Sequence, residues 1–444
     1  MRLTWIQPED LVGHELCQAA QDGRDVTAIT ARWHAAGGHD APPRAGASPG
    51  PATPELCELA GELLGELDTL ASPLDEPSGL PEIIEACPGW PSPRPATPGR
   101  DRLYGAWLGR AAGCVLGKPV EKIPREGIRE IAEATGNWPI RGWFTARGLP
   151  EEIATRWPWN RRSAVNSLAE NLDGTPEDDD LNFPMLVLAL LERHGRDFTT
   201  ADVAQTWLDE LPAGRVFTAE RVAYRNLLLG LRPPRTATYR NPFREWIGAQ
   251  IRADVYGWAN PGDPATAAAM AHRDACLSHT ANGVYGAMFA AAMCAAALVV
   301  SSAEEVVCAG RSVLPEGSRM ARAVDDAVAS ARAETDFERV VDGLHERHAG
   351  LHWVHAINNA ALVAAALVHG DGDFTRSVAG AVAGGWDTDS DGATVGSVAG
   401  ALLGASNIPR LWTTPLRDRV ASSLPGFDGA AIGDLAARTA ALLP

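Results

Sequence analysis

Two rows of glycine, each repeating every fourth residue, constrain this chain more than any other feature. The first is Gly105, Gly109, Gly113 and Gly117; the second is Gly392, Gly396, Gly400 and Gly404. Both stand where small and apolar residues recur at three and four spacing, the period of a helix. Glycine inside a helix costs about 1 kcal/mol against alanine. Four on one face therefore need a reason, either close approach of another helix backbone or of a ligand. The helical period also runs through Tyr104–Leu116, Leu181–His194, Val284–Val300, Ile357–His369 and Thr394–Leu403, while Val-rich alternating runs are scarce. The expected fold class is all-α, a single large helical domain with a helical N-terminal extension.

The 444 residues allow one large domain with an appendage, or two to three small domains, at about 100–200 residues each. Helices are expected over Glu9–Ala36 and Pro54–Leu70. The Pro-rich stretches Ala41–Pro54 and Cys87–Arg100 sustain neither a helix nor a central strand. They read as a loop and a linker, as do Trp- and Pro-rich connections such as Trp143–Arg162. The boundary is placed between an extension, 1–98, and a large domain, 99–444.

Hydrophobic residues at 45% and charged residues at 21% exclude general disorder. A net charge of −17 argues against nucleic acid as a partner, because such binding rests on cationic neutralisation of phosphate. Only two lysines occur, Lys118 and Lys122, a scarcity read as compositional bias. The seven cysteines form no CxxC pair, which argues against a zinc ribbon or redox dithiol. Scattered reduced thiols point to a cytoplasmic location. The opening MRLTWIQPEDL lacks an apolar stretch behind a basic start, so no signal peptide is expected. Val284–Val300 is Ala-rich, short of a bilayer span and without basic flanks. It is expected as a core helix, with no membrane partner.

Two carboxylate clusters precede helical stretches. One is Glu177-Asp178-Asp179-Asp180; the other is Asp387-Thr388-Asp389-Ser390-Asp391. An acid at a helix N-terminus gains about 0.3–1 kcal/mol from the dipole, which accounts for one or two acids. Runs of adjacent like charges repel, and a bound cation relieves that repulsion. The ligands are hard oxygens, favouring Mg²⁺, Mn²⁺ or Ca²⁺ over zinc. A calcium-hand reading of the second cluster fails, because the twelfth position holds Val398 where a Glu is needed. A two-metal site shared between the clusters fits better.

Four blocks carry a resemblance to the ADP-ribosylglycohydrolases: Gly105–Glu121, Pro176–Phe183, Ser278–Met293 and Gly384–Ala405. The resemblance runs from about Arg102 to Pro409. It implies metal-dependent cleavage of a ribosyl bond and, by position, two Mg²⁺ or Mn²⁺ ions. The implied metal ligands are Glu177, Asp178, Asp179, Asp387, Asp389 and Ser390. Asp179 and Glu121 are the candidate catalytic bases. Gly117, Glu121, His279, Asn282, Gly385 and Trp386 are the implied substrate-binding residues. Cys114 departs from the Asp common after that glycine, and Asp180 stands where Thr is frequent. The loops 140–173 and 235–264 are the expected selectors of the acceptor, and Asn241–Trp258 is dense enough in polar and aromatic residues to line a pocket, a structural helix being the equal alternative. Three readings follow: hydrolysis of an ADP-ribosylated protein or small acceptor, the same fold acting on a nucleoside-like or biosynthetic metabolite, and an ADP-ribose binder without turnover. The oligomeric state is left open.

Overall fold

Seven of the helices position the site. They are α1 (Pro8–Gln21), α2 (Pro54–Leu67), α3 (Arg100–Gly117), α4 (Asp179–His194), α5 (Ala281–Ala297), α6 (Ala356–Gly370) and α7 (Thr388–Leu403). The computed structural model describes residues 3–41, 46–48, 50–160 and 163–443. Parts of the loop 41–54 and the end of the connection 143–162 lie outside them. Among the described residues the fold is all-α apart from one two-stranded pair, Arg419–Val420 with Ala430–Ala431.

The glycine rows face each other. α3 and α7 run antiparallel with Gly105 against Gly400, Gly109 against Gly396 and Gly113 against Gly392. A Cβ on any of them would fall closer than 3.0 Å to the opposing backbone. Hydrogen at those positions lets the two helix backbones touch. The register continues to Gly117, which abuts Thr388; the Thr388 hydroxyl donates to the Gly117 carbonyl at 2.9 Å. The end of the first row is thereby fixed beside the start of the second acidic cluster.

Around this pair the core is built of small residues. From Asn282 to Ala297, every residue of α5 is buried, as expected of a helix apolar on all sides. No helix among the described residues is long and apolar enough to cross a membrane.

The extension differs from expectation in two respects, one being a short helix over Leu80–Glu85 that was not expected. The single helix expected over Glu9–Ala36 is two, Pro8–Gln21 and Thr27–Ala35. The chain turns between them at Gly23, whose φ of +76° is a left-handed conformation that glycine adopts without strain. The extension packs closely on the large domain. Arg244 pairs with Glu15 at 2.7 Å and Asp22 at 2.6 Å, all three side chains buried. Trp5 packs edge-on against Phe243, and the Tyr285 hydroxyl donates to the Pro77 carbonyl.

Candidate metal and active site

Three segments deliver carboxylates to one place. α3 ends at Gly117, and one 3₁₀ turn, Lys118–Val120, leads to Glu121. Asp178 caps α4, its carboxylate accepting from the Asp180 N–H at 3.0 Å. Asp387 precedes α7; its N–H donates to the Asn359 side-chain oxygen at 3.3 Å. The clusters meet directly, since the Ser390 hydroxyl donates to Asp180 at 3.1 Å.

These groups line a cavity of about 860 Å³ that takes in Glu121, Glu177, Asp178, Asp179, Asp180, Asp387, Asp389 and Ser390. Two sets of potential metal ligands stand out. Glu121, Asp387 and Asp389 each offer an oxygen within 4.8 Å of the others; Cys114, Asp178 and Asp180 form a second such set. The first set is all hard oxygen, which suits Mg²⁺ or Mn²⁺. Its fit to a divalent ion rests on Asp387 and Asp389, buried and facing no cation within ion-pair distance among the described residues.

The electrostatics follow from this crowding. Burial, with the charges of Glu121 and Asp178, pushes Asp389 up to about 8. Burial and neighbouring carboxylates likewise hold Asp179, Asp180 and Asp387 well above the usual carboxylate range. Asp178 behaves oppositely. Burial pushes it up, but the Lys118 ammonium bonded to it outweighs burial and holds it below the ordinary value. Burial pushes the Cys114 thiol far up.

The remaining predicted residues lie elsewhere. Gly117 serves the helix contact. The His279 ring contacts the Ser278 hydroxyl at 2.8 Å, and Asn282 donates to Glu76 at 2.7 Å and Glu245 at 3.0 Å. Asn282 belongs to a buried polar network beneath the extension, whereas His279 is buried beside Ser278 and Glu220. Gly385 lies against Arg125, and Trp386 stacks on His345 with ring centroids 4.3 Å apart. None of these five lines the cavity.

Several cavity residues were not anticipated. Lys118 also donates to the Glu177 carbonyl at 2.6 Å, and Lys122 pairs with Glu121 at 2.6 Å. Both lysines of the chain therefore stand in the site. Asn160 donates to Glu121 at 2.7 Å. The segment 241–258 was anticipated as a pocket lining, and its Trp246, Ile247, Gly248 and Ile251 form one wall with Trp353. Thr4, Trp5, Gly46 and Ala47 bring the extension into the same wall.

Residues 95–443 match the ADP-ribosylglycohydrolase family. A solved structure described as an "ADP-ribosylglycohydrolase-related protein complex" is 22% identical, with a TM-score of 0.48, covering 77% of this chain and 97% of that one. No curated protein matches. The family match takes in every acidic residue of the cavity and most of the sequence, and the chain belongs to the ADP-ribosylglycohydrolases.

Proposed function

We propose that the protein is a metal-dependent hydrolase that cleaves the bond between a ribose anomeric carbon and its acceptor in an ADP-ribosyl compound. The observation that carries this reading is the convergence of both acidic clusters on one cavity, joined by the Ser390–Asp180 hydrogen bond. Glu121, Asp387 and Asp389 would hold a divalent ion. Bound there, Mg²⁺ or Mn²⁺ supplies a Lewis acid that orients the ribose hydroxyls and lowers the pKa of a water.

The chain's own groups do the rest. Asp179 is partly exposed in the cavity, and its carboxyl retains a proton more readily than usual. A carboxyl poised in that way takes a proton from the attacking water or returns one to the leaving group. Glu121, oriented by Asn160 and Lys122, is the second candidate for the base. Lys118, Lys122 and Arg215 offer positive charge for phosphate, and Trp246, Trp353 and Phe217 offer faces for a purine.

A second reading has one observation in its favour. The extension, which lies outside the family match, supplies Trp5 and Thr4 to the cavity wall. A wall built from an added segment suits a small nucleoside-like or metabolite acceptor better than a protein side chain. The test is release of free ribosyl product from ADP-ribosyl-arginine, ADP-ribosyl-serine, O-acetyl-ADP-ribose and simple nucleosides, with Mg²⁺, with Mn²⁺ and with chelator. Metal-dependent turnover of any one supports hydrolysis and removes a binder without turnover. Tight ADP-ribose binding with no turnover sinks the enzymatic reading.

A further inference from the structure

The carboxylates of the cavity are unequally neutralised. Lys118 sits on Asp178, and Lys122 pairs with Glu121 at 2.6 Å. Arg215 pairs with Glu177 at 3.1 Å, Arg110 with Asp180 at 3.3 Å and Arg252 with Glu220 at 2.7 Å. Asp179, Asp387 and Asp389 face no such partner among the described residues. The two candidate ligand sets thus differ in kind. In the set of Cys114, Asp178 and Asp180, each carboxylate already has a cation and the third member is a buried thiol. In the set of Glu121, Asp387 and Asp389, the only ion-pairing cation among the described residues is Lys122, whose side chain is 44% exposed.

Lys118 is not free in that way. Its side chain is 10% exposed, and its ammonium donates both to Asp178 and to the Glu177 carbonyl. A divalent ion binding Asp178 would have to compete with that ammonium, which is held by two acceptors. Buried charges keep their partners because a lone charge in the interior is strongly disfavoured.

We propose that the Lys118 ammonium is a fixed internal cation standing in for one of two divalent ions, so that the protein holds a single Mg²⁺ or Mn²⁺, on Glu121, Asp387 and Asp389. This inference rests on the metal-dependent reading above but concerns ion number, which is measured without turnover. A buried ammonium one hydrogen bond from Asp178 keeps that acid charged and the neighbouring helix start in place whether or not the divalent ion is bound. Metal loading then completes one half of the site and leaves the other unchanged.

The test is a count of bound Mn²⁺ by electron paramagnetic resonance, with calorimetry, on the full chain. The wild-type protein is expected to bind one Mn²⁺ per chain. Lys118→Met is expected to bind two, because Asp178 is then without a cation. Asp389→Asn is expected to lose the single ion. Circular dichroism checks the fold of each variant. Where Lys118→Met fails to fold, Lys118→Gln, which retains a donor for the Glu177 carbonyl, carries the same expectation. Two tight ions in the wild type overturn the proposal, as does a count of one in a folded Lys118 variant. Absence of ribosyl release by the wild type with Mn²⁺ sinks the hydrolase reading instead and leaves the ion count standing.

Discussion

The Thr388 hydroxyl donates to the Gly117 carbonyl at 2.9 Å, and this bond lies where the glycine-lined contact of α3 and α7 gives way to the acidic cavity. Above it, hydrogen faces backbone at every register position from Gly113 to Gly105. Below it begin Lys118 and Glu121 on one strand of chain and Asp389 on the other. Gly396→Leu places a branched side chain where the Gly109 carbonyl stands. It should destabilise the protein by at least the about 1–3 kcal/mol of an overpacked core. Urea denaturation checks this. A variant with unchanged midpoint would mean that the helices tolerate separation.

Asp389→Ala should abolish metal-dependent hydrolysis while leaving the helical signal intact. At a helix start the acid contributes only about 0.3–1 kcal/mol to stability, whereas ion binding contributes several kcal/mol at the transition state. The metal-free variant should melt no lower than the wild type, because a repelling carboxylate is gone. Thermal melts with and without Mn²⁺, beside ribosyl release, decide the matter. Wild-type turnover in the variant would reduce the second cluster to a helix cap.

The raised Asp389 carboxyl gives a pH dependence of definite sign. An unfolded carboxylate titrates near about 4, while folded, metal-free Asp389 titrates at about 8. Between those values the folded state holds the proton and the unfolded state does not. Its contribution to stability is therefore fully present below about 4 and is lost as the pH rises through 8. A divalent ion competes with the same proton, so its affinity rises with pH and its binding releases protons. The Mn²⁺-induced rise in melting temperature should be larger at pH 8 than at pH 6. Equal shifts would contradict the assignment of Asp389 to the ion.

Arg244 ties the extension to the large domain through Glu15 and Asp22. Arg244→Met leaves the buried Glu15 without its cation, while Asp22 keeps Arg24, and should cost about 3–5 kcal/mol, read as a lower denaturant midpoint. A loss below 1 kcal/mol would show that the extension is held by apolar contact alone.

Trp5 stands in the cavity wall. Trp5→Ala should raise KM about 2–10-fold, matching the roughly 0.5–1.5 kcal/mol of an aromatic contact, with the Mn²⁺ shift unchanged. An unaltered KM would place the substrate away from the extension.

Each glycine row was legible as a place of close approach, by a backbone or a ligand, because a glycine repeat leaves no side chain in the way; that the two rows meet each other was not, because neither row names its partner. The acidic clusters were legible for a similar reason, as adjacent like charges signal a compensating cation whatever the fold. Lys118 was not. Its partner Asp178 lies 60 residues on, and nothing local distinguishes a lysine that enters a cavity from one in solvent. His279 and Asn282 fell in a block resembling the family's, yet Asn282 hydrogen-bonds Glu76, in a segment the family pattern lacks. The break of the first helix at Gly23 escaped because the charged period continues through it.

The contact of α3 with α7 has no side chains to repack, so it acts as a hinge-free splint. Every group that would hold the ion is anchored at one end of that splint, whereas the walls come from segments 140–173, 241–258 and the extension. Changes in those walls can retune which acceptor is admitted without moving the carboxylates. The same rigidity sets a limit. A single insertion within either glycine row slides Glu121 past Asp387 and Asp389 by about 1.5 Å, the rise of one helical residue, and dismantles the centre at a stroke.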